Sequence, residues 1–280
     1  MSFRAVGVIP ARWASTRLPG KSLHPICGKP LVLWVVEAAE RAELLDEVVV
    51  ATDDERIADV VDAGGHKAVM TRKDHPSGTD RVAETVCTTA ADVIVNIQGD
   101  EPLMDPCLID RIVKRMREDS YWDMATAATP IENDEELHDS SVVKVVWGEK
   151  NRALYFSRSV IPFVRDPDTE ANVKHWRHLG IYAYRDSFLK KLVESKPCDI
   201  EEAEKLEQLR ALYMGASMVV IETNDKGIGV DTPQDVERVE RLMSREQGAG
   251  RGINPTDSLR RPTDGEGILS HVTTGLRMKK

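Results

Sequence analysis

Apolar residues in the first hundred positions alternate between two rhythms. Residues 4–9 (RAVGVI) form a short buried run closed by Pro10. After a loop holding Pro19, Gly20 and Gly28, Leu31, Trp34, Val35, Ala38 and Ala42 recur at helical spacing. Residues 47–51 (EVVVA) are a second strand. Asp53 and Asp54 are N-terminal signals for a helix carrying Ile57, Val60 and Val61, which Gly64-Gly65 ends. Residues 67–70 read as a third strand, 79–90 as a helix, and 92–97 (DVIVNI) as a fourth strand. The nearly continuous apolar run of 92–97 suits a parallel strand covered on both faces. Four strands with helices between them predict a doubly wound, mostly parallel α/β sheet.

The middle of the chain is less regular. Residues 142–147, 152–156 and 179–184 are strand candidates, and 160–177, with Pro162 and Pro167, is an excursion between them. Residues 201–214 read as one helix and 217–222 as a strand. The last helix is expected over 233–243, capped by Thr232 with Pro233 in its first turn. No internal repeat is visible. After residue 245 the composition turns to Gly, Arg, Thr and Ser with few large apolar groups, which predicts a disordered tail over 246–280 behind a domain of residues 1–245.

Composition narrows the function. The 280 residues are 41% hydrophobic and 30% charged, with a formal net charge of -9. That balance fits an ordinary globular protein and argues against a general nucleic-acid binder, which needs a broad basic face. It allows a small anionic ligand in a cleft lined by a few Lys and Arg. Cys27, Cys87, Cys107 and Cys198 lie far apart with no CxxC pair, so buried or idle thiols in a reducing compartment are expected. No apolar run reaches the roughly 20 residues of a membrane helix. The start, Met1-Ser2-Phe3-Arg4, runs directly into a strand and leaves no room for a signal peptide, so the expected location is the cytoplasm.

The loop after the first strand carries the first candidate chemistry. It reads Pro10-Ala11-Arg12-Trp13-Ala14-Ser15-Thr16-Arg17-Leu18-Pro19-Gly20-Lys21. Ligands of open α/β sheets sit beyond the carboxyl ends of strands. A loop there with Gly, small hydroxyl residues and three cations suits phosphates, although a solvated basic loop would look similar. It lacks the spacing of a Walker loop and of a GxGxxG dinucleotide loop.

As a string, this loop resembles the signature of the 3-deoxy-manno-octulosonate (Kdo) cytidylyltransferases. The resemblance continues through Thr71-Arg72 with Asp74-His75, Ser77-Gly78-Thr79-Asp80-Arg81 and Asn96-Ile97-Gln98-Gly99-Asp100-Glu101-Pro102. It goes on through Tyr155-Phe156-Ser157-Arg158, Arg177-His178-Leu179-Gly180-Ile181-Tyr182, Leu206-Glu207-Gln208-Leu209-Arg210 and Gly229-Val230-Asp231-Thr232-Pro233. These blocks run in the family's order from about residue 5 to 243. Trp13 in place of Tyr and Ser22 in place of Pro are mild departures.

The resemblance implies a doubly wound nucleotide-binding domain with a small dimerisation region around 155–184, and a homodimer. It implies transfer of CMP from CTP to the anomeric hydroxyl of Kdo, dependent on Mg²⁺, for lipopolysaccharide biosynthesis. Arg12, Lys21, Asp100 and Asp231 are then the catalytic candidates, with Asp100 and Asp231 as the metal ligands. Ala11, Arg12, Ser15, Lys21, Arg72, Ser77, Gly78 and Gln98 are candidates for CTP. Gln98, Arg158, His178, Tyr182, Glu207 and Gln208 are candidates for the sugar acid, with Arg158 facing its carboxylate. Each has an ordinary structural alternative. Asp231 could belong only to a helix N-terminus, Ser77 or Thr79 could cap residues 79–90, and His178 could be a satisfied strand imidazole. Glu101 reads as a solvated acid beside Asp100.

Competing functions are a cytidylyltransferase for a related acid such as 8-amino-Kdo and, from another class, a catalytically silent nucleotide-binding regulator. Loss of Lys21, Asp100 or Asp231 would have favoured the regulator. A sialic-acid cytidylyltransferase or a hexose-1-phosphate nucleotidyltransferase would carry a more Gly-rich first loop, and an NAD-dependent oxidoreductase would carry GxGxxG.

Overall fold

A computed structural model describes residues 3–15, 17–87, 89–166 and 173–249. The chain opens with strand β1 (Ala5–Ala11), a short hairpin of β2 (Pro25–Ile26) and β3 (Lys29–Pro30), and helix α1 (Leu31–Ala39). Then come β4 (Glu47–Thr52), α2 (Glu55–Ala63), β5 (Ala68–Met70), α3 (Gly78–Val86) and β6 (Val93–Asn96). Asp54 caps α2 by accepting from the Arg56 N–H, and Ser77 caps α3 by accepting from the Asp80 N–H. This half matches the expected strand and helix alternation to within a few residues.

The second half contains α4 (Pro106–Glu118), β7 (Met124–Pro130), α5 (Asp134–His138), β8 (Lys144–Trp147), β9 (Ala153–Ser157) and β10 (Trp176–Arg185). It closes with α6 (Asp186–Glu194), α7 (Asp199–Glu204), α8 (Gln208–Tyr213), β11 (Met218–Glu222) and α9 (Pro233–Ala249). Elements α4, β7, α5 and α6 were not anticipated. The single helix expected over 201–214 is two, because Lys205 adopts a left-handed φ of 54° and stops α7. The last helix extends to Ala249 rather than ending at 243, so residues 246–249 of the expected tail are helical. The remainder of that tail, 250–280, lies outside the described residues.

The main sheet runs β11-β7-β10-β6-β1-β4-β5, with β8 and β9 branching from β10. Its pairs are parallel on both sides of β1 and between β7 and β11. Along this path β10 is antiparallel to both its neighbours, β6 and β7, and the branch of β8 and β9 is also joined by antiparallel pairs. The expected doubly wound, mostly parallel sheet is therefore present, with β10 reversed and an antiparallel branch beside it. The register of β10 positions the site. Tyr182 pairs with Asn96 at the end of β6, so residues 176–181 project past the carboxyl end of β6 while Trp176–Leu179 stay paired with β7. Val6, Val8, Ala51, Ile94, Met124, Ala128 and Phe156 are buried in one cluster on the sheet. Contacts gather Met1–Arg241 into one compact unit, while Leu242–Lys280 fall into a second whose described part is the end of α9.

Candidate active site

Three turns meet at the carboxyl edge of the sheet. The first is the loop after β1. Trp13, the departure noted above, stacks on the Arg56 guanidinium at 3.4 Å. Its ring also covers Gly20, whose φ of +66° favours glycine and where an added Cβ would lie 3.1 Å from the indole. Lys21 then opens a 3₁₀ turn and points back into the edge. The second turn is Gln98–Glu101 after β6, and the third carries Asp231 before α9.

Lys21 Nζ donates to Asp100 Oδ2 at 2.6 Å and to Asp231 Oδ1 at 2.9 Å. Arg17 Nη2 pairs with the other Asp231 oxygen at 3.0 Å. Burial alone would lower the Lys21 ammonium, but Asp100 and Asp231 outweigh it and hold it above the ordinary lysine value. Asp231 does not cap α9. Thr232 Oγ1 accepts from the Asp235 N–H, and Asp235 accepts from the backbone N–H groups of Asp231 and Thr232. The Asp231 carboxylate is thus free of the helix and turned to the cations.

Two adjoining cavities share this edge. One, of about 430 Å³, is lined by Ala11, Arg12, Ser15, Arg17, Lys21, Ser77 and Gly78. The other, of about 650 Å³, is lined by Arg158, His178, Tyr182, Gln208 and the turn around Lys205. Gln98, Asp100, Glu207 and Asp231 belong to both walls. The structure therefore brings the triphosphate-loop candidates to one cavity and the sugar-acid candidates to the other, with Asp100 and Asp231 at their junction. Arg72 reaches neither wall: its guanidinium faces Asp74 at 3.7 Å on an exposed turn, while its backbone N–H donates to Glu84.

The larger cavity is held by hydrogen bonds across elements. Gln98 Nε2 donates to the Gly180 carbonyl at 2.7 Å, tying the end of β6 to the projecting part of β10. Thr79 Oγ1 donates to Glu207 at 2.7 Å, tying α3 to the turn before α8. The Lys144 side chain is buried, and its ammonium donates to the carbonyls of Asp139, Val142 and Arg158, fixing one wall. Burial holds its pKa below the usual lysine value. Arg158 lines the cavity, but its Nε and Nη1 already donate to the carbonyls of Glu204 and Ser140. Those bonds use two of its five N–H groups, which leaves one on Nη1 and both on Nη2 for a carboxylate. Glu101 is buried rather than solvated. Burial, with Asp100 and Asp225 nearby, pushes its carboxyl up to about 8, so it is a neutral acid at pH 7. Thr79, Lys144 and Glu101 were not among the sequence candidates, since none of their roles has a pattern in the linear chain.

His178 shows its tautomer. Thr126 Oγ1 lies 2.9 Å from His178 Nε2 and 2.8 Å from the Ile181 carbonyl. The hydroxyl has one hydrogen, which the carbonyl takes, so Nε2–H donates to Thr126 and Nδ1 carries the lone pair. Burial pushes the imidazole down to about 3. In the unfolded chain it titrates near 6.5. The unfolded state therefore takes up a proton first, and stability contributed by neutral His178 is lost as pH falls from about 6.5 toward 3. The slope for one proton approaches about 1.4 kcal/mol per pH unit. The melting-temperature gap between wild type and His178→Gln is expected to narrow steadily as pH falls from about 6.5 to 4. A pH-independent gap would contradict a neutral, buried His178.

Asp100 and Asp231 also fit a metal. Both reach one nitrogen, so a single cation bridges them, and Mg²⁺ is commonly held by one or two carboxylates plus substrate phosphates. Among the described residues no group of three or more His, Cys, Asp or Glu forms a metal cage by itself. The cysteines are free, with Cys198 alone buried.

A carboxyl-edge site with a cationic loop and a carboxylate pair defines a nucleotidyltransferase, and the sequence profile of the cytidylyltransferase family matches residues 6–222. The chain is 49% identical over 243 residues to the 3-deoxy-manno-octulosonate cytidylyltransferase of Bdellovibrio bacteriovorus, spanning 86% of this chain and 98% of that one. It is 46% identical over 240 residues to the enzyme of the same name from Geobacter sulfurreducens, spanning 83% and 96%. The chain belongs to the 3-deoxy-manno-octulosonate cytidylyltransferase family. The solved CMP:2-keto-3-deoxy-manno-octonic acid synthetase complexed with CTP superposes with a TM-score of 0.83 at 43% identity, covering 87% of this chain and 99% of that one. A 4-diphosphocytidyl-2C-methyl-D-erythritol synthase from Anaerococcus prevotii, at a TM-score of 0.59 and 12% identity, shares the fold alone.

Proposed function

We propose that the chain transfers CMP from CTP to the anomeric hydroxyl of Kdo, releasing pyrophosphate and supplying CMP-Kdo for lipopolysaccharide biosynthesis. The observation that carries this is the placement of Asp100 and Asp231 at the junction of two cavities, one cationic and one rich in hydrogen-bonding groups. The names of the family members agree with it.

The triphosphate lies against the loop after β1, where Arg12, Arg17 and Lys21 offset its charge and the N-terminus of α3, at Ser77 and Gly78, adds backbone N–H groups. The base is read there by backbone groups and small polar side chains. Arg72 stays at the periphery and is not assigned a contact with it. Gln98, His178, Tyr182, Glu207 and Gln208 hold the hydroxyls of the sugar acid, and Arg158 offers its remaining Nη1 and Nη2 hydrogens to the carboxylate. The anomeric hydroxyl gives its proton to solvent as its oxygen bonds to the α-phosphorus, the bond from that phosphorus to the bridging oxygen breaks, and pyrophosphate leaves with that electron pair. Neutral His178 serves as a hydrogen-bond partner and is too weak a base to take the hydroxyl proton. Mg²⁺ held by Asp100 and Asp231 would supply charge stabilisation and a lowered hydroxyl pKa.

The test is pyrophosphate release with four nucleoside triphosphates against a panel of sugar acids that includes Kdo and its 8-amino analogue. Turnover is expected with CTP and Kdo, with UTP partly tolerated. Equal turnover with ATP or GTP rejects the assignment, and absence of release with every pair favours a nucleotide-binding regulator.

We further assign residues 1–245 to the catalytic domain and residues around 155–184 to a dimerisation region. Phe163, in the loop between β9 and β10, is 84% exposed, and Leu154 on β9 is 60% exposed, as expected of groups that a second copy covers. Light scattering at micromolar protein is expected to give the mass of a homodimer, and a monomer mass contradicts it. No helix among the described residues is long and apolar enough to cross a membrane.

A further inference from the structure

Lys21 occupies a place that the proposed chemistry also needs. Its ammonium sits 2.6 Å from Asp100 and 2.9 Å from Asp231, at the junction of the two cavities, and its side chain is 18% exposed. A Mg²⁺ ion bound by both carboxylates would stand about 2.1 Å from the same oxygens. Two cations cannot share that space, because their mutual repulsion at such a distance has no compensating ligand.

We propose that Lys21 is a plug: its ammonium closes the position between Asp100 and Asp231 to divalent cations until a triphosphate draws it away, so that metal and nucleotide enter as a coupled pair. The inference rests on the reading of Asp100 and Asp231 as metal ligands. The lysine stem is flexible, and its compact ammonium can turn from carboxylate to phosphate by rotation about single bonds. It lines the nucleotide cavity with Arg12 and Arg17, so the phosphates arrive within its reach. Moving it exposes both carboxylates at once and replaces one positive charge by two, next to a ligand that brings several negative charges. Coupling of this kind is reciprocal, so metal must also raise the affinity for nucleotide. A site closed in this way also avoids idle metal binding in a cell rich in free Mg²⁺.

Arg17 supplies the control. It also carries one positive charge, 3.0 Å from Asp231, but it is 66% exposed and contacts the outer oxygen rather than the space between the carboxylates. Mere neutralisation of charge would make Arg17→Met and Lys21→Met alike, whereas a plug makes them different.

The experiment titrates each full-length protein with Mn²⁺ without nucleotide, following the free-ion signal by electron paramagnetic resonance. Lys21→Met is expected to bind Mn²⁺ at least about tenfold more tightly than wild type, and Arg17→Met to stay within about threefold. Thermal melting establishes that each variant is folded, and Lys21→Gln replaces Lys21→Met if the latter is not. An affinity of the Lys21 variant within about threefold of wild type overturns the plug, as does an equal gain in Arg17→Met. Asp100→Asn separates this failure from that of the underlying reading. With a non-hydrolysable CTP analogue present it should lose protein-bound Mn²⁺, and undiminished binding there would overturn the metal site itself.

Discussion

Asp100→Asn and Asp231→Asn are each expected to lower kcat by about 10²–10³, the cost of removing one preorganised contact to the reacting charge, with a metal ligand able to exceed it. The two residues arrive from different turns, one after β6 and one before α9, yet both contact Lys21. Neither is needed as a helix cap, because Thr232 and Asp235 perform that task for α9. Asn caps about as well as Asp, so an Asp231→Asn variant with normal turnover would have been the sign of a capping role. The effect on stability should be small and of a definite sign. The carboxylates are not left to repel each other, since the Lys21 ammonium lies between them. Asp100→Asn therefore removes one partly exposed ion pair and Asp231→Asn two, each pair worth less than about 1 kcal/mol. Steady-state kinetics and a melting curve check both parts. Near-normal turnover of Asp100→Asn would remove the basis for the metal site, and a large loss of melting temperature would show that the pair is structural.

Much of the site was legible in the linear chain, because its residues come in short blocks that follow strand ends. The loop after β1, the Gln98–Asp100 turn and the turn holding Asp231 converge because parallel strands deliver their carboxyl ends to one edge. What the sequence concealed depends on tertiary context. Strand β7 (MATAATP) is rich in Ala, which has little β preference, and it becomes a strand because β10 and β11 flank it. Helix α4 did carry signals, with Asp105 at its cap, Pro106 in its first turn and Leu108, Ile109, Ile112, Val113 and Met116 on its buried face. The left-handed Lys205 that divides α7 from α8 has no local signature, since lysine pays a conformational penalty there that only the surrounding packing offsets. The burial of Glu101 was equally hidden. A carboxylate next to Asp100 looks solvated by type, and only the packing of the turn against the Asp225 loop makes it a neutral acid. Arg72 is the opposite case, a residue in a family-like block that the fold leaves on the exposed rim.

Among the described glycines, Gly99→Ala is expected to be the most damaging addition of a methyl group. Strands β1 and β6 are adjacent and parallel, and the Ile97 N–H still donates to the Val8 carbonyl at 2.9 Å. Immediately beyond that bond the chain passes over Pro10. A Cβ at position 99 would lie 2.7 Å from the Pro10 carbonyl oxygen and 3.5 Å from Ile9 Cγ2. The clashing atom is backbone in a central strand, so no side-chain rotation relieves it, and the Gln98–Asp100 turn must lift. Both neighbours are then displaced: Gln98 from its bond to the Gly180 carbonyl, and Asp100 from Lys21 and the cavity junction. Overpacking of this kind costs about 1–3 kcal/mol, and a displacement of order 1 Å at reacting groups costs about 10² in rate. The expected result is therefore a kcat/KM lower by about 10² with a melting temperature reduced by several degrees. Gly148→Ala is the control, because its added Cβ meets only Leu154, at 3.7 Å, in an extended backbone outside the site. It should change stability by no more than about 0.5 kcal/mol and leave turnover unaltered. Comparable behaviour of the two variants, or a Gly99→Ala enzyme of normal activity, would show that the turn can move without disturbing Asp100.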